Sequence, residues 1–322
     1  MSVELICASH TPLMDFIRPP AEVEAAARGT FARLAERVRA LDPELIVVFA
    51  PDHFNGFFYD LMPSFCLGVR AAAAEDWDIG HGKLNVPEGI ALELVKSLQQ
   101  QDIDIAYSYR MQADHGFNQS LELLAGGMDQ YPVIPIFINS AARPMPPCRR
   151  AVALGEAVGR FLKGRAERIL IMGSGGLSHD PPTPQMGAVP PEIEEFLIGG
   201  RNPSSESRQA RQERVLANGR KLAAGESNGL TLPLNPAWDQ GLLQSFADAD
   251  FARFRAMTDE EIAAEGGRGG HEIRCWIAGF AALQAAGGAY QAETEYYHAI
   301  DQWLAGMALM TAHPKAAAQV AA

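Results

Sequence analysis

The sequence predicts an α/β fold with a mostly parallel central sheet sandwiched between layers of helices and with a helical C-terminal part. Short runs that are apolar on both faces alternate with longer segments of helical periodicity, and prolines or glycines separate the two. Helices cover both faces of a parallel sheet, so its strands appear as continuous apolar runs. Beyond residue 205 the spacing of apolar residues is helical.

The strands and helices of the first half follow from this pattern. Five runs are predicted to be strands: Val3–Ala8, Leu45–Ala50, Asp104–Tyr109, Val133–Ile138 and Arg168–Met172. Helices are predicted over 20–41, over 87–100, from about Asn118, and over 148–164. The pair Asp42-Pro43 ends the first helix, because proline cannot continue one.

The second half begins with a long connection. Residues 180–204 contain several prolines and glycines around a short acidic helix, Glu192–Leu197. A connection of this length is more often functional than idle, so it is a candidate wall or lid. Helices are predicted near 205–224, 238–248, 258–264, 271–285 and 293–309. We expect residues 1–313 to form a single catalytic domain and residues 314–322 to form a frayed tail.

The composition is that of an ordinary globular protein and narrows the possible partners. The chain has 322 residues, is 48% hydrophobic and carries a net charge of −12. This acidity argues against nucleic acid and against anionic membranes as partners. The sequence shows neither a signal peptide nor the roughly 20 apolar residues that span a bilayer, so a cytoplasmic location is expected. The four cysteines are too scattered for a disulfide framework or a structural zinc site.

Four histidines, His10, His53, His115 and His179, each follow a predicted strand. Open α/β sheets form their sites beyond the carboxyl ends of the strands, where chain turns bring distant residues together. Glu272, in a Gly-Gly-His-Glu-Ile stretch, adds a carboxylate. Two imidazoles and one carboxylate are the ligand set of non-haem Fe(II) enzymes, although imidazoles suit zinc and copper as well.

Each of these residues also has a simpler interpretation. A loop histidine often makes a single hydrogen bond, and a carboxylate such as Glu272 is favoured at a helix N-terminus. Asp52 is placed to orient a neighbouring imidazole. His271 is not expected to be a ligand, because adjacent helical residues point in different directions. Three further histidines are interpreted as structural or surface residues: His81 in a loop, His298 in a helix and His313 in the tail.

Two other kinds of site are disfavoured. Gly173–Gly176 lacks the lysine and the glycine spacing of a phosphate-binding loop. Ser178 stands beside His179 but outside any Gly-x-Ser-x-Gly elbow, which argues against a serine hydrolase.

The assembled pattern resembles that of the class III extradiol ring-cleaving dioxygenases, the family of the protocatechuate 4,5-dioxygenase catalytic subunit. The matching pieces are Ser9-His10, Asp52-His53, Asp114-His115-Gly116, Gly-Gly-Leu-Ser-His ending at His179, and Gly-His-Glu-Ile ending at Ile273. They span residues 9 to 273, and their order makes the set specific.

The resemblance implies a site, a reaction and a substrate class. His10, His53 and Glu272 would hold Fe(II), His179 would accept a proton and His115 would donate one. The substrates would be O2 and catechols that bear a 3-propionate or related side chain. The family fold is an α/β/α layered domain, and a homo-oligomer is expected.

Two competing interpretations remain at this stage. A zinc-dependent hydrolase would use the same three ligands and an activated water. A non-catalytic binding protein would keep the fold without the chemistry. If the substrate carries a carboxylate, it needs a local cation or amide donors, and the candidate cations are Arg110, Arg143, Arg201 and Arg268.

Overall fold

The computed structural model of the chain describes residues 2–201, 203–226 and 231–315. Its strands are β1 (Ser2–Ala8), β2 (Leu45–Ala50), β3 (Phe65–Gly68), β4 (Ala71–Ala73), β5 (Ala106–Ser108), β6 (Met111–Ala113), β7 (Val133–Ile138), β8 (Arg168–Ser174), β9 (Tyr290–Ile300) and β10 (Ala305–Pro314). Eight of them form one sheet in the order β5-β3-β7-β2-β8-β1-β10-β9, and β4 pairs with β6 in a second, two-stranded sheet. The central strands β7, β2, β8 and β1 run parallel, as predicted.

Helices lie between and after these strands. They are α1 (Ala21–Leu41), α2 (Glu88–Gln99), α3 (His115–Ser120), α4 (Cys148–Leu162), α5 (Pro191–Gly199), α6 (Ser205–Ala223), α7 (Pro236–Ala247), α8 (Phe251–Ala256), α9 (Asp259–Gly266) and α10 (Ile273–Gly287). A 3₁₀ turn, Gly269–Glu272, leads directly into α10. Within the described residues, no helix has both the length and the apolar character to cross a membrane.

Two apolar cores lie on opposite faces of the large sheet. Along β2, Val47 and Phe49 join one core, whereas Ile46 and Val48 join the other. Successive side chains of a strand point to opposite faces, so an all-apolar strand must be covered on both sides. Helices α2, α4 and α10 contribute to the first core, and α1 and α3 contribute to the second. The predicted α/β/α layering is confirmed.

The predicted helix over 293–309 is wrong. This segment contains β9, a 3₁₀ turn at Asp301–Trp303, and the start of β10. Its apolar residues do recur at helical intervals, but they do so across the turn that joins two antiparallel strands. Leu304, at φ 56°, has the left-handed conformation that ends any helical path there. His298 therefore lies in β9 and His313 in β10, and both of these strands follow β8.

The strand predicted at Asp104–Tyr109 is shorter and more exposed than expected. Only Ala106–Ser108 forms β5, at one edge of the large sheet. The strand that leads to His115 is β6, which belongs to the two-stranded sheet and was not predicted. Strands β3, β4 and β6 have only three or four residues, which is too short for a hydrophobic period to show.

Helix α10 packs closely on α4 and carries Glu272 at its start. A Cβ atom on Gly155 of α4 would lie 2.2 Å from the Ala278 carbonyl oxygen, and one on Gly159 would lie 2.3 Å from that of Ala282. Only glycine permits this approach of the two backbones. The predicted single domain over 1–313 stays a prediction, and most of the predicted tail lies outside the described residues.

Candidate active site

Three of the predicted histidines lie at one edge of the large sheet. His10 follows β1, His53 follows β2 and His179 follows β8, and these strands are neighbours in the order β2-β8-β1. Because the three strands run parallel, their carboxyl ends meet at the same edge. His115 comes to the same place from β6.

The Glu272 carboxylate lies at the centre of these histidines. Its Oε1 atom is 3.1 Å from His53 Nε2 and 3.3 Å from His179 Nε2, and its Oε2 atom is 3.7 Å from His10 Nε2. Glu272 and His10 are buried, with 4% and 5% of their surfaces exposed. The structure therefore brings together the three residues that the sequence offers as metal ligands.

His115 is the fourth imidazole of the cluster. Its ring stacks on that of His53 with the centroids 4.2 Å apart, and it meets the His10 ring edge-on at 5.5 Å. Ring nitrogens of His10, His53 and His115 all lie within 4.8 Å of one another, so these three could also share an ion. His115 is therefore an alternative to Glu272 for the third ligand position.

Partners on the outer side of the rings fix their orientation. The Asp114 carboxylate accepts from His53 Nδ1 at 2.9 Å, and Asp76 accepts from His115 Nδ1. His10 Nδ1 lies 3.0 Å from the hydroxyl of Ser174. A carboxylate on Nδ1 holds the ring in place and leaves the Nε2 lone pair free for a metal or a proton.

Asp52 does not orient an imidazole. Its carboxylate accepts hydrogen bonds from the backbone N–H groups of Asn55, Gly56 and Phe57. The partner of His53 is Asp114 instead. Burial and the neighbouring Asp114 charge raise the pKa of Asp52 to about 8.

The His179 loop is tied to the turn that carries Glu272. The His179 N–H donates to the Gly266 carbonyl at 2.9 Å, and the Gly269 N–H donates back to the His179 carbonyl at 3.0 Å. The next residue, Asp180, forms a salt bridge with Arg268 at 2.6 Å. His179 Nδ1 donates to the Leu177 carbonyl at 3.0 Å, so Nε2, which faces Glu272, is the ring nitrogen that gains or loses a proton.

The pKa values of His10 and His179 are shifted in opposite directions. Burial lowers the pKa of His10 to about 3, so its imidazole is neutral and able to bind a metal. Burial opposes protonation of His179 too, but the charge and the hydrogen bond of Glu272 outweigh it and raise the pKa of His179. The pKa of Glu272 is held well below its ordinary value despite burial, because the nearby His179 ring and the hydrogen bonds with His179 and His53 favour the carboxylate.

A cleft opens onto this cluster. Besides His53 and Glu272, its lining residues are Ser140, Ala141, Pro181, Thr183, Gln185, Arg268 and Gly269. Three of them belong to the connection 180–204, which therefore forms one wall of the cleft. The movement of residues 180–204 as a lid stays a prediction. A separate open depression at the β3–β5 edge of the sheet is lined by none of the clustered histidines.

Asp76 is a site residue that the sequence analysis missed. It lies in a loop between β4 and α2, where Glu75, Trp77 and Asp78 all have positive φ angles near 55°. The strand before it, β4, is too short to recognise in the sequence, and no motif marks the position, so the sequence carries no signal for its contact with His115. Asp114, by contrast, was visible as the residue before His115.

Comparison with known proteins identifies the family of this chain. A family described as "Catalytic LigB subunit of aromatic ring-opening dioxygenase" matches residues 4–308. The chain belongs to this family. As a LigB-family protein it is an aromatic ring-opening dioxygenase, which disfavours both the zinc hydrolase and the non-catalytic binding protein.

Relatives named as dioxygenases cover nearly the whole length of this LigB-family chain. It is 58% identical over 314 residues to a 2,3-dihydroxyphenylpropionate/2,3-dihydroxicinnamic acid 1,2-dioxygenase of Photorhabdus laumondii, with 98% of each chain covered. It is 50% identical to the protein of the same name in Cupriavidus pinatubonensis, with 98% of this chain and 100% of that one covered. A crystal structure of the uncharacterized protein JW3007 from Escherichia coli K12 shares the fold, at a TM-score of 0.51 and 14% identity, over 95% of this chain and 98% of that one.

Proposed function

We propose that this protein is an Fe(II)-dependent extradiol dioxygenase that cleaves 2,3-dihydroxyphenylpropionate or 2,3-dihydroxycinnamate. The observation that carries the proposal is the convergence of His10 and His53 on the Glu272 carboxylate, in a chain 58% identical to an enzyme named for these substrates. The reaction adds both atoms of O2 and breaks a ring C–C bond, which yields a 2-hydroxy-6-oxo-dienedioate.

The donor set fits Fe(II). His10, His53 and Glu272 would hold the ion as two imidazoles and one carboxylate, the ligand set of non-haem Fe(II) oxygenases. The bound ion would supply coordination positions for the catechol oxygens and O2 and would pass charge between them. Because one coordination sphere would hold both the catechol and O2, their reaction would become a unimolecular step.

The protein's own residues move the protons. His179, with Nδ1 occupied by the Leu177 carbonyl, accepts a catechol proton at Nε2. The Glu272 carboxylate nearby stabilises the imidazolium that forms. His115, held through Nδ1 by Asp76, keeps Nε2 for the proton that it donates as the ring carbon–carbon bond breaks. General acid–base help of this kind is worth ~10²–10⁴-fold in rate.

Metal analysis of variants tests the ligand assignment. After anaerobic loading with Fe(II), His10→Ala, His53→Ala and Glu272→Gln should lose the ion, whereas His115→Gln and His179→Gln should retain it and lose most turnover. Yellow product formed from the catechol in air is the activity readout. A Glu272→Gln variant that keeps iron, beside a His115→Gln variant that loses it, would transfer the third ligand position to His115. Zinc retained in place of iron, with no yellow product, would refute the dioxygenase proposal.

Two further statements belong to the proposal. We expect a homo-oligomer and a cytoplasmic location. Light scattering on the purified protein and fractionation of producing cells test them.

A further inference from the structure

One arginine at the cleft has no carboxylate partner among the described residues. Arg143 lies in the loop after β7, two residues beyond Ala141, which lines the cleft. Its side chain is exposed, and no aspartate or glutamate of the described part of the chain is within salt-bridge distance. An arginine in such a loop, beside a site for small molecules, is available to an acidic ligand.

The other candidate cations are already neutralised or lie elsewhere. Arg268 forms its salt bridge with Asp180, and Arg201 pairs with Asp60 at 2.9 Å. Arg110 comes just before β6, at the end of that strand opposite His115. Of the four arginines that the sequence offers, Arg143 alone lies close in sequence to the cleft lining and has no carboxylate partner among the described residues.

The neighbour of Arg143 is a second hydrogen-bond donor. Arg274 Nη1 donates to His271 Nδ1 at 3.0 Å, so the ring hydrogen of a neutral His271 is on Nε2. Arg143 Nη2 lies 3.4 Å from that Nε2 atom. Two N–H groups cannot satisfy each other, whereas an oxygen anion in contact with both would accept from each.

Of the two donors, Arg143 and His271, the second is held rigidly by its surroundings. His271 is 2% exposed and directly precedes Glu272 in the same 3₁₀ turn. Arg274, which fixes its ring, is fully buried and is itself anchored by the Pro146 carbonyl at 2.8 Å. The Nε2–H donor is therefore held in position before any ligand arrives.

We propose that Arg143 and the Nε2–H group of His271 bind the side-chain carboxylate of the substrate and so determine the preference for acidic catechols. The inference rests on the proposed function, because it assigns the part of the substrate that does not react. A carboxylate at this point would accept from the guanidinium and from a pre-oriented imidazole, both beside the turn that carries Glu272. In a chain of net charge −12, such a local donor pair is what an anionic substrate requires.

The test compares an acidic catechol with a neutral one of the same shape. For 2,3-dihydroxyphenylpropionate and 3-propylcatechol, kcat/KM is measured in the parent enzyme, in Arg143→Gln, in Arg143→Lys and in the control Arg110→Gln. We expect the ratio of the two values to fall about 30-fold in Arg143→Gln, since the substrate carboxylate loses a charge-assisted hydrogen bond. The lysine variant should keep an intermediate ratio, and Arg110→Gln should keep the parent ratio.

The outcomes separate this inference from the proposed function. A parent enzyme that cleaves neither catechol refutes the function. A parent ratio that persists in Arg143→Gln, or loss of both substrates in equal proportion, overturns the carboxylate assignment alone. A second test requires no turnover and compares, by calorimetry, the affinity of the enzyme for 3-phenylpropionate with its affinity for 3-phenylpropanol. The ratio of these affinities should fall about tenfold or more in Arg143→Gln, and an unchanged ratio would count against the inference.

Discussion

Replacement of Gly269 by alanine should disable His179 without unfolding the protein. A Cβ atom on Gly269 would lie 2.0 Å from Nε2 of the His179 ring and 2.2 Å from Cδ2. Ordinary contacts begin near 3.4 Å, so the ring would have to move by more than 1 Å. Gly269 has no positive φ angle, so an alanine meets no backbone strain there.

The size of the effect follows from that displacement. A misplacement of about 1 Å in a catalytic group costs on the order of 10²-fold in rate, and complete loss of a general base costs ~10²–10⁴-fold. We therefore expect kcat to fall ~10²–10³-fold in Gly269→Ala. The assay is steady-state formation of the yellow ring-cleavage product, with the iron content measured on the same sample.

The next residue provides a matched control. A Cβ atom on Gly270 would lie 3.3 Å from the Trp238 ring, a tight contact that a small shift relieves, and it lies in the same 3₁₀ turn. Gly270→Ala should keep kcat within about threefold of the parent. If Gly269→Ala turned over at the parent rate with iron bound, either His179 is not the base or its ring does not occupy this position during turnover.

Two further perturbations test the supports of the site. Asp114→Asn removes the carboxylate that holds His53 Nδ1. The variant should bind iron ~10–100-fold more weakly in a chelator competition. An unchanged iron affinity would mean that another group orients the His53 ring. Asp180→Asn breaks the bond to Arg268 and should lower the free energy of unfolding by ~1.5–3 kcal/mol at pH 7 in urea titrations. Arg268 and backbone hydrogen bonds lower the pKa of Asp180 against the effect of burial. The contribution of the salt bridge to the free energy of unfolding is therefore complete above the ordinary aspartate pKa of ~3.9. It is lost as the pH falls through the pKa of Asp180 in the folded state. If the difference in the free energy of unfolding between parent and variant stayed the same in acid, the salt bridge would be excluded as its cause.

The sequence was a good guide to the site wherever a residue follows a long buried strand. His10, His53 and His179 come after β1, β2 and β8, whose apolar runs are long enough to recognise. Their meeting at one edge then follows from parallel pairing. The position of Glu272 depended on a glycine-rich turn, which shows where backbone comes close but not which side chain points inward.

Local sequence could not distinguish the two Asp-His pairs. Asp52-His53 and Asp114-His115 look alike, yet Asp52 turns back onto its own loop whereas Asp114 reaches across to His53. The difference arises because β6 delivers Asp114 from the small sheet toward the large one, and β6 itself is too short to recognise. Tertiary placement, rather than residue type, decides which carboxylate orients a ligand.

The bonds between the His179 loop and the Glu272 turn make the proposed base and the proposed ligand a single unit. The Gly176 N–H donates to Glu272 Oε2 at 2.8 Å, and the backbone bonds of His179 to Gly266 and Gly269 join the same two segments. A change that moves one segment must therefore disturb both functions, unless it acts on the imidazole ring alone. Substitution at Gly269 acts on the ring, while substitution of Glu272 acts on the ion. Iron content measured beside turnover is consequently what separates loss of the base from loss of the metal in this site.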